Sequence, residues 1–333
     1  MTNQQKVQVI YDTDPGIDDA MALWLLARSP AIELRAITTV FGNASVSTTT
    51  HNAQVLSTLY GLRVPIAAGA KHALAATTEG DYPAHVHGDD GLGGMAGVAE
   101  PATDLHDARA AHELICDMIN AEPGAITLIA VGPFTNIALA LRHDPSIAGK
   151  VKQVIVMGGA FGTLGHGGNV TPVAEANVIN DPEAADLVMT AAWPLVVVGL
   201  DVTQQVVMSE DYLSSLQGRG VDGEKRVGDF LWQATRHYQD FYSEVAGIRG
   251  VYSHDASAVA YAIDPSAFTV RRGPIRVVCE GMARGQTIQD HRNLGLPGGH
   301  PGRAAWTGRP VQQACIGVDA ARVIEIFDHA FDI

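Results

Sequence analysis

Short apolar runs rich in Val and Ile alternate along the chain with segments whose apolar residues return at helical spacing. VQVIYDT is followed by DDAMALWLLARS, IELRAITTV by a helix-like stretch to Gly61, and AITLIAVG by TNIALALRHDP. In the first helix Ile17, Met21, Trp24, Leu25 and Arg28 fall at i, i+4, i+7, i+8 and i+11, so an apolar stripe about two turns long faces a sheet before polar residues take over. The rhythm continues through KQVIVMGG, a Gly-rich loop, DPEAADLVMTAA and WPLVVVGLD. A helix-rich region from about Ser209 to Gly247 comes next, then two strands around FTVRRGPIRVVCEG and a closing strand-helix unit, QQACIGVDAARVIEIF. This alternation predicts an α/β fold, one large domain over residues 1–333 with a mostly parallel central sheet flanked by helices. Two connections, Gly69 to Asp107 and Gly158 to Asp181, are long for such a unit, and long loops inside compact folds are usually functional.

Composition narrows the function classes. The 333 residues carry a net charge of −14, with 22 Lys and Arg against 36 Asp and Glu, and no Lys/Arg stripe interrupts the acidic field. Such a surface repels a phosphate backbone, so a nucleic acid polymer is not an expected partner. The longest charge-free stretch, near Leu187 to Leu200, is too short to span a bilayer and is broken by Pro194, so no membrane partner is expected either. The opening MTNQQKVQVIYDTD has neither the basic nor the apolar region of a secretory signal, and cytoplasmic residence is the expectation. Cys116, Cys279 and Cys315 are widely spaced and odd in number, which reads as reduced thiols.

Candidate chemistry is concentrated where the first strand meets the first helix. Asp12-Thr13-Asp14-Pro15-Gly16-Ile17-Asp18-Asp19 places four carboxylates in eight residues. One Asp suffices to cap a helix. Four at a buried strand end repel one another and lose solvation unless a cation or hydrogen-bond donors compensate, and a hard divalent metal is the economical compensation. Three further segments are polar where helices or strands end. Ser253-His254-Asp255 precedes an apolar helix and reads on its own as a cap with an exposed neighbour. MGGAFGTLGHGGNV leads to Glu175-Ala176-Asn177, in which Asn169, Glu175 and Asn177 suit the binding of hydroxyl groups, although a plain surface loop has the same composition. Asn43, in Phe41-Gly42-Asn43, is equally a turn residue.

Together these pieces resemble the nucleoside hydrolase family, the inosine-uridine-preferring N-ribohydrolases. DTDPGIDDAMAL resembles that family's N-terminal signature, and VFGNAS, HVHGDDGLGG, IAVGPFTNIALAL, VIVMGGAFG, GNVTPVAEANVINDPEAA and SHDASAV come after it in the family's order. The chain departs most from the family between about Glu210 and Gly250 and in LPGGHPGRAAW.

The resemblance implies calcium-dependent hydrolysis of ribonucleosides to free base and ribose, in nucleoside salvage, by a homo-oligomer, a dimer or tetramer. By resemblance Asp14, Asp19, Asp255 and the carbonyl of Val131 hold one Ca²⁺, and Asp14 deprotonates the attacking water. Asp18 then holds the ribose 2′-OH, Asn177 the 3′-OH, and Asn169 with Glu175 the 5′-OH, while Asn43 and Met157 line the sugar pocket. The departing base needs a proton or hydrogen bond: His254 is the first candidate and His87 the second, either being equally a base-binding or loop histidine. Tyr238 and Tyr242 resemble residues of the helix that covers the base, with core packing as the alternative. No Trp lies in HVHGDDGLGG, where purine-specific relatives stack the base, and Ala176 stands where relatives carry an aromatic. The missing Trp and the presence of His254 resemble the purine-and-pyrimidine or pyrimidine-leaning branches, and Ala176 loosens the sugar pocket near the 5′ position; broad ribonucleoside specificity is the expectation. Two rival readings remain at the level of residues: a haloacid-dehalogenase-like Mg-dependent phosphohydrolase, built on Asp12-Thr13-Asp14 with Lys152, and a non-enzymatic nucleoside- or sugar-binding protein.

Overall fold

The computed structural model describes residues 6–220, 226–292 and 304–332. Most of the LPGGHPGRAAW loop therefore lies outside the described residues, as does a short piece of the region before Gly247. In chain order the elements are β1 (Val7–Thr13), α1 (Ile17–Arg28), β2 (Ile32–Thr39), α2 (Val46–Tyr60), β3 (Ile66–Ala68), α3 (Ala84–His87), β4 (His106–Asp107), α4 (Ala111–Ala121), β5 (Ile126–Ala130), α5 (Thr135–His143), β6 (Gln153–Met157), α6 (Ala176–Asn180), α7 (Pro182–Thr190), β7 (Leu195–Val198), α8 (Leu200–Thr203), β8 (Val207–Ser209), α9 (Glu210–Ser215), α10 (Arg226–Ala246), β9 (Gly250–Tyr252), α11 (Asp255–Ile263), β10 (Phe268–Gly273), β11 (Ile275–Val277), β12 (Thr287–Gln289), β13 (Gln312–Val318) and α12 (Ala320–His329).

Nine strands form one sheet in the order β10-β13-β7-β6-β5-β1-β2-β3-β4, parallel throughout except for the β10–β13 pair. The strand runs are continuously apolar because both faces are covered: every residue of β5 (ITLIA) and β7 (LVVV) is buried. Alternation along β1 sends Val9 and Tyr11 into the core shared with α1, α10 and α11, and Ile10 into the core shared with α4, α5 and α7. The two strands read around FTVRRGPIRVVCEG separate. β10 joins the main sheet, and β11 pairs with β12 in a two-stranded ribbon.

The first helix differs from its sequence reading. Residues Ile17 through Leu26 of α1 are all buried, the two aspartates included, because α2, α10 and α11 enclose the helix on the sides away from the sheet. A stripe seen in sequence is here one sector of a helix buried all round.

Topology then fixes where a ligand can sit. From β1 the chain winds outward through β2 and β3, whereas β5 starts on the other side of β1 and winds away through β6 and β7. The switch point lies between the carboxyl ends of β1 and β5, which are tied there by Val131 N–H donating to the Asp12 carbonyl at 2.9 Å. Parallel sheets open a crevice at such a point.

Candidate active site

Residues at or just beyond the carboxyl ends of the strands line the switch point: Asp14 after β1, Asn43 after β2, Val131 after β5, Met157 at the end of β6 and Thr203 after β7. The turn at Pro15-Gly16 brings Asp18 and Asp19 back onto the end of β1. A side chain at Gly16 would lie 2.6 Å from Asn43 Nδ2 and 2.7 Å from His87 Nδ1, so only glycine lets both close over the turn. Asp19 does cap α1: its Oδ2 accepts from Gly16 N–H at 2.9 Å and from Asn43 Nδ2 at 3.0 Å, and its Oδ1 accepts from the Thr13 hydroxyl and from Asp14 N–H. That cap accounts for one carboxylate of the cluster. Asp14 Oδ2 accepts from Asn43 N–H at 2.8 Å, while its buried Oδ1 has no hydrogen-bond partner among the described residues. Asp18 accepts from the Tyr238 hydroxyl at 3.3 Å, and its other oxygen is likewise buried with no hydrogen-bond partner among the described residues.

Asp12 leaves the group that the sequence places together. It faces the opposite side of the sheet, where Thr38 and Asn136 donate to its Oδ1 at 2.5 and 2.7 Å. Asp255, 241 positions after Asp14 in the numbering, takes its place as the first residue of α11. Ligand oxygens of Asp18, Asp19 and Asp255 lie within 4.8 Å of one another. Reading His254-Asp255 as a cap with an exposed neighbour fails on both residues: His254 makes no capping bond, and both are buried, at 5% and 2% exposure.

Crowding shows in the protonation equilibria. Burial, then repulsion from Asp19 and Asp18, pushes Asp14 well above the usual carboxylate range. Burial followed by repulsion from Asp18, Asp19, Asp14 and Glu175 does the same to Asp255. Asp18 and Asp19 are each raised to about 6, chiefly by burial. Burial also lowers His87 to about 4 and His254 to about 3, so both rings are neutral near pH 7.

On one side of the carboxylates lies a set of amides and carbonyls. Asn177 Nδ2 donates to the Val131 carbonyl at 2.6 Å and to the Met157 carbonyl at 3.2 Å, bridging the ends of β5 and β6. Glu175 caps α6, taking N–H bonds from Asn177, Gly159 and Val178 at 2.8 to 3.1 Å. Asn169 is exposed at the rim, where its Oδ1 holds Ala176 N–H at 3.0 Å.

The other side is built by α3, α10 and α11. His87 Nδ1 accepts from Ile17 N–H at 3.3 Å and stands 3.9 Å from Asp18, with its ring tilted against Tyr238 at 5.4 Å between centroids. Tyr238 and Tyr242, one turn apart on α10, join their hydroxyls at 3.0 Å, and the Tyr242 hydroxyl meets His254 Nε2 at 2.7 Å. Both tyrosines are at once core residues and site residues. Beyond His254, the Thr203 hydroxyl meets Nδ1 at 2.7 Å.

Thr203 and Thr287 escape the sequence reading. Thr287, on the β11–β12 ribbon, binds Ala160 N–H and C=O through its hydroxyl and so pins the loop that feeds Glu175. A search for polar residues at the carboxyl ends of parallel strands would have found Thr203 in the GLDVT segment after β7. Lys152, which the phosphohydrolase reading needs, precedes β6 and so lies at the amino edge of the sheet, away from the carboxylates.

Comparison with known proteins identifies the family and the fold. Residues 9–325 match the family model for the inosine-uridine preferring nucleoside hydrolases. Uridine nucleosidase 1 of Arabidopsis thaliana is 36% identical, over 96% of this chain and 91% of its own. The inosine-uridine preferring nucleoside hydrolase of Leishmania major is 40% identical, over 86% and 88%. A solved plant nucleoside hydrolase superposes with a TM-score of 0.90 at 34% identity, covering 98% of this chain and 99% of its own. Neither the phosphohydrolase nor the binding-protein reading gains support from these matches.

Proposed function

The chain belongs to the inosine-uridine preferring nucleoside hydrolase family, and we propose that it cleaves both purine and pyrimidine ribonucleosides in a calcium-dependent reaction that serves nucleoside salvage. The observation that carries this reading is the buried knot of Asp14, Asp18, Asp19 and Asp255. Among the described residues its one ion-pair contact is His87, 3.9 Å from Asp18, and burial holds that ring neutral. An all-oxygen donor set with an unpartnered Asp14 Oδ1 suits a hard divalent ion. Asp14, Asp19, Asp255 and the Val131 carbonyl would hold one Ca²⁺, which when bound supplies Lewis-acid polarisation of the attacking water and a grip on the ribose diol.

The chain's own groups divide the remaining work. Asp14 accepts a proton from the water. Asp18 accepts from the 2′-OH. Asn177, its Nδ2 committed to backbone carbonyls, presents Oδ1 to the 3′-OH. Glu175 and Asn169 hold the 5′-OH, and Asn43 and Met157 line the sugar pocket. As the C1′–N bond lengthens, positive charge grows on the ribose ring, and the surrounding carboxylates stabilise it. On the base side His254 is the first candidate for assisting the leaving group and His87 the second, with Tyr242 bonded to His254 and Tyr238 packed against His87. Site residues come from β1 through α11, so we treat residues 1–333 as one catalytic unit, expected in the cytoplasm as a homodimer or homotetramer. No helix among the described residues is long and apolar enough to cross a membrane.

Metal analysis of the purified protein tests the reading: about one calcium per chain is expected, with loss of metal in Asp14→Asn and Asp255→Asn. Full activity after chelation would overturn it. Deoxyuridine should turn over at least ~10²-fold more slowly than uridine, because a site built around a hydroxyl rejects the analogue that lacks it.

A further inference from the structure

Thr203, Tyr242, Tyr238 and Asp18 form with His254 an unbranched chain of hydrogen bonds, and its proton positions can be found by counting. Asp18 is an acceptor as a carboxylate, so the bond at 3.3 Å uses the Tyr238 proton. Tyr238 has no second proton, so in the 3.0 Å contact Tyr242 is the donor. Tyr242 has then spent its proton as well, and the 2.7 Å contact to His254 requires a proton on Nε2. Both partners of the imidazole are hydroxyls, which leaves the ring neutral and its Nδ1 bare. The Thr203 hydroxyl must donate to Nδ1, at 2.7 Å.

Thr203 is placed for that task alone. It is fully buried at the end of α8, the short helix after β7. A helical threonine commonly turns its hydroxyl back onto the carbonyl four residues earlier, as Thr235 does onto Leu231 at 2.7 Å and Thr190 onto Asp186 at 2.6 Å. Among the described residues the Thr203 hydroxyl has His254 as its partner. The reverse arrangement, with Nδ1–H donating to Thr203, would turn every bond around and leave the Tyr238 oxygen facing the Asp18 carboxylate without a proton between them.

We propose that Thr203 is a positioning residue that fixes His254 as its Nε2–H tautomer and so points the whole hydrogen-bond chain toward the sugar-binding carboxylate. This rests on the proposed reading of the site, in which Asp18 holds the ribose 2′-OH, but the tautomer is measurable without turnover. In ¹⁵N spectra of the full-length protein, the signals lost in His254→Gln identify the ring. The expected pattern is a protonated, pyrrole-type Nε2 and a pyridine-type Nδ1.

Thr203→Val keeps the shape and removes the hydroxyl. It should disturb that pattern and lower kcat for uridine roughly tenfold, the worth of one buried hydrogen bond, with KM changed less than about twofold. Thr203→Ser should restore both. A pyrrole-type Nδ1 in the unaltered protein would overturn the proposal, as would wild-type spectra and kcat in Thr203→Val, or a serine variant as impaired as the valine one. Should the valine variant fail to fold, the unaltered protein's spectrum and the serine variant still decide. A protein that shows the Nε2–H pattern yet releases no ribose from any nucleoside would leave the tautomer assignment standing and refute the functional reading instead.

Discussion

His254 is bonded to two hydroxyls, and its proposed acid role is tested by comparing leaving groups that do and do not need a proton. His254→Ala is expected to slow natural nucleosides by on the order of 10²–10⁴-fold, the usual worth of acid catalysis. The same variant should hydrolyse 4-nitrophenyl riboside nearly normally, since a stabilised phenolate leaves without a proton. Equal loss on both substrates would place His254 with the sugar or metal through its neighbour Asp255. Asp14→Asn, by contrast, should impair every substrate, because it removes the base for the water. What the sequence reveals at this scale depends on clustering. Four carboxylates in eight residues stand out against any capping need, although Asp12 lies inside β1 and points with Ile10 to the other face, whereas Asp14 lies beyond the strand's end. Asp255 and Thr203 carry only weak local signals, an acid at a helix start and a polar residue beyond a strand's carboxyl end, until the fold joins Asp255 to Asp18 and Asp19 and Thr203 to His254.

At the scale of elements, the turns after β2 and β5 set the position of Asp14. Gly42 has φ +154° and abuts Asp14 Oδ2, and a side chain at Gly132 would lie 2.6 Å from Asp14 Oδ1. Gly132→Ala should displace that carboxylate and, at 2.8 Å from Val40 Cγ1, crowd the core, so kcat and calcium affinity fall together and the thermal midpoint drops by a few degrees. Unfolding melts and metal titration of the same sample check this; unchanged calcium binding would show that Asp14 is not held from β5. Most elements are legible because parallel strands buried on both faces read as Val/Ile runs, as in β5 and β7. The errors have the same physical origin. α1 shows an apolar stripe, yet it is enclosed by helices far away in sequence, and β12 is three residues whose pairing with β11 no periodicity announces.

For the whole molecule, the buried acids make stability depend on pH in a direction that a cation should reverse. Asp12 is raised to about 7 and Asp18 and Asp19 to about 6, with Asp14 and Asp255 also raised. A carboxyl with a raised folded-state pKa contributes stability that is complete below its unfolded value and is lost as pH rises through the folded one. The lowered His87 and His254 act oppositely, losing stability as pH falls from about 6.5 toward 4 and 3. With Glu175 also raised, six acids outweigh the lowered imidazoles of His87, His254 and His112, so the metal-free protein should melt lower at pH 8 than at pH 5. Added calcium should raise the midpoint more at pH 8, and scanning calorimetry at both pH values would show it; a larger gain at pH 5 would contradict the carboxylate assignment.

The most direct test is ribose release from inosine and uridine by the calcium-loaded protein in phosphate-free buffer. Free ribose and free base should form in equal amounts from both nucleosides, at a rate that added phosphate does not change. A requirement for phosphate, or intact nucleosides after prolonged incubation with folded, calcium-bound protein, would contradict hydrolysis at this site.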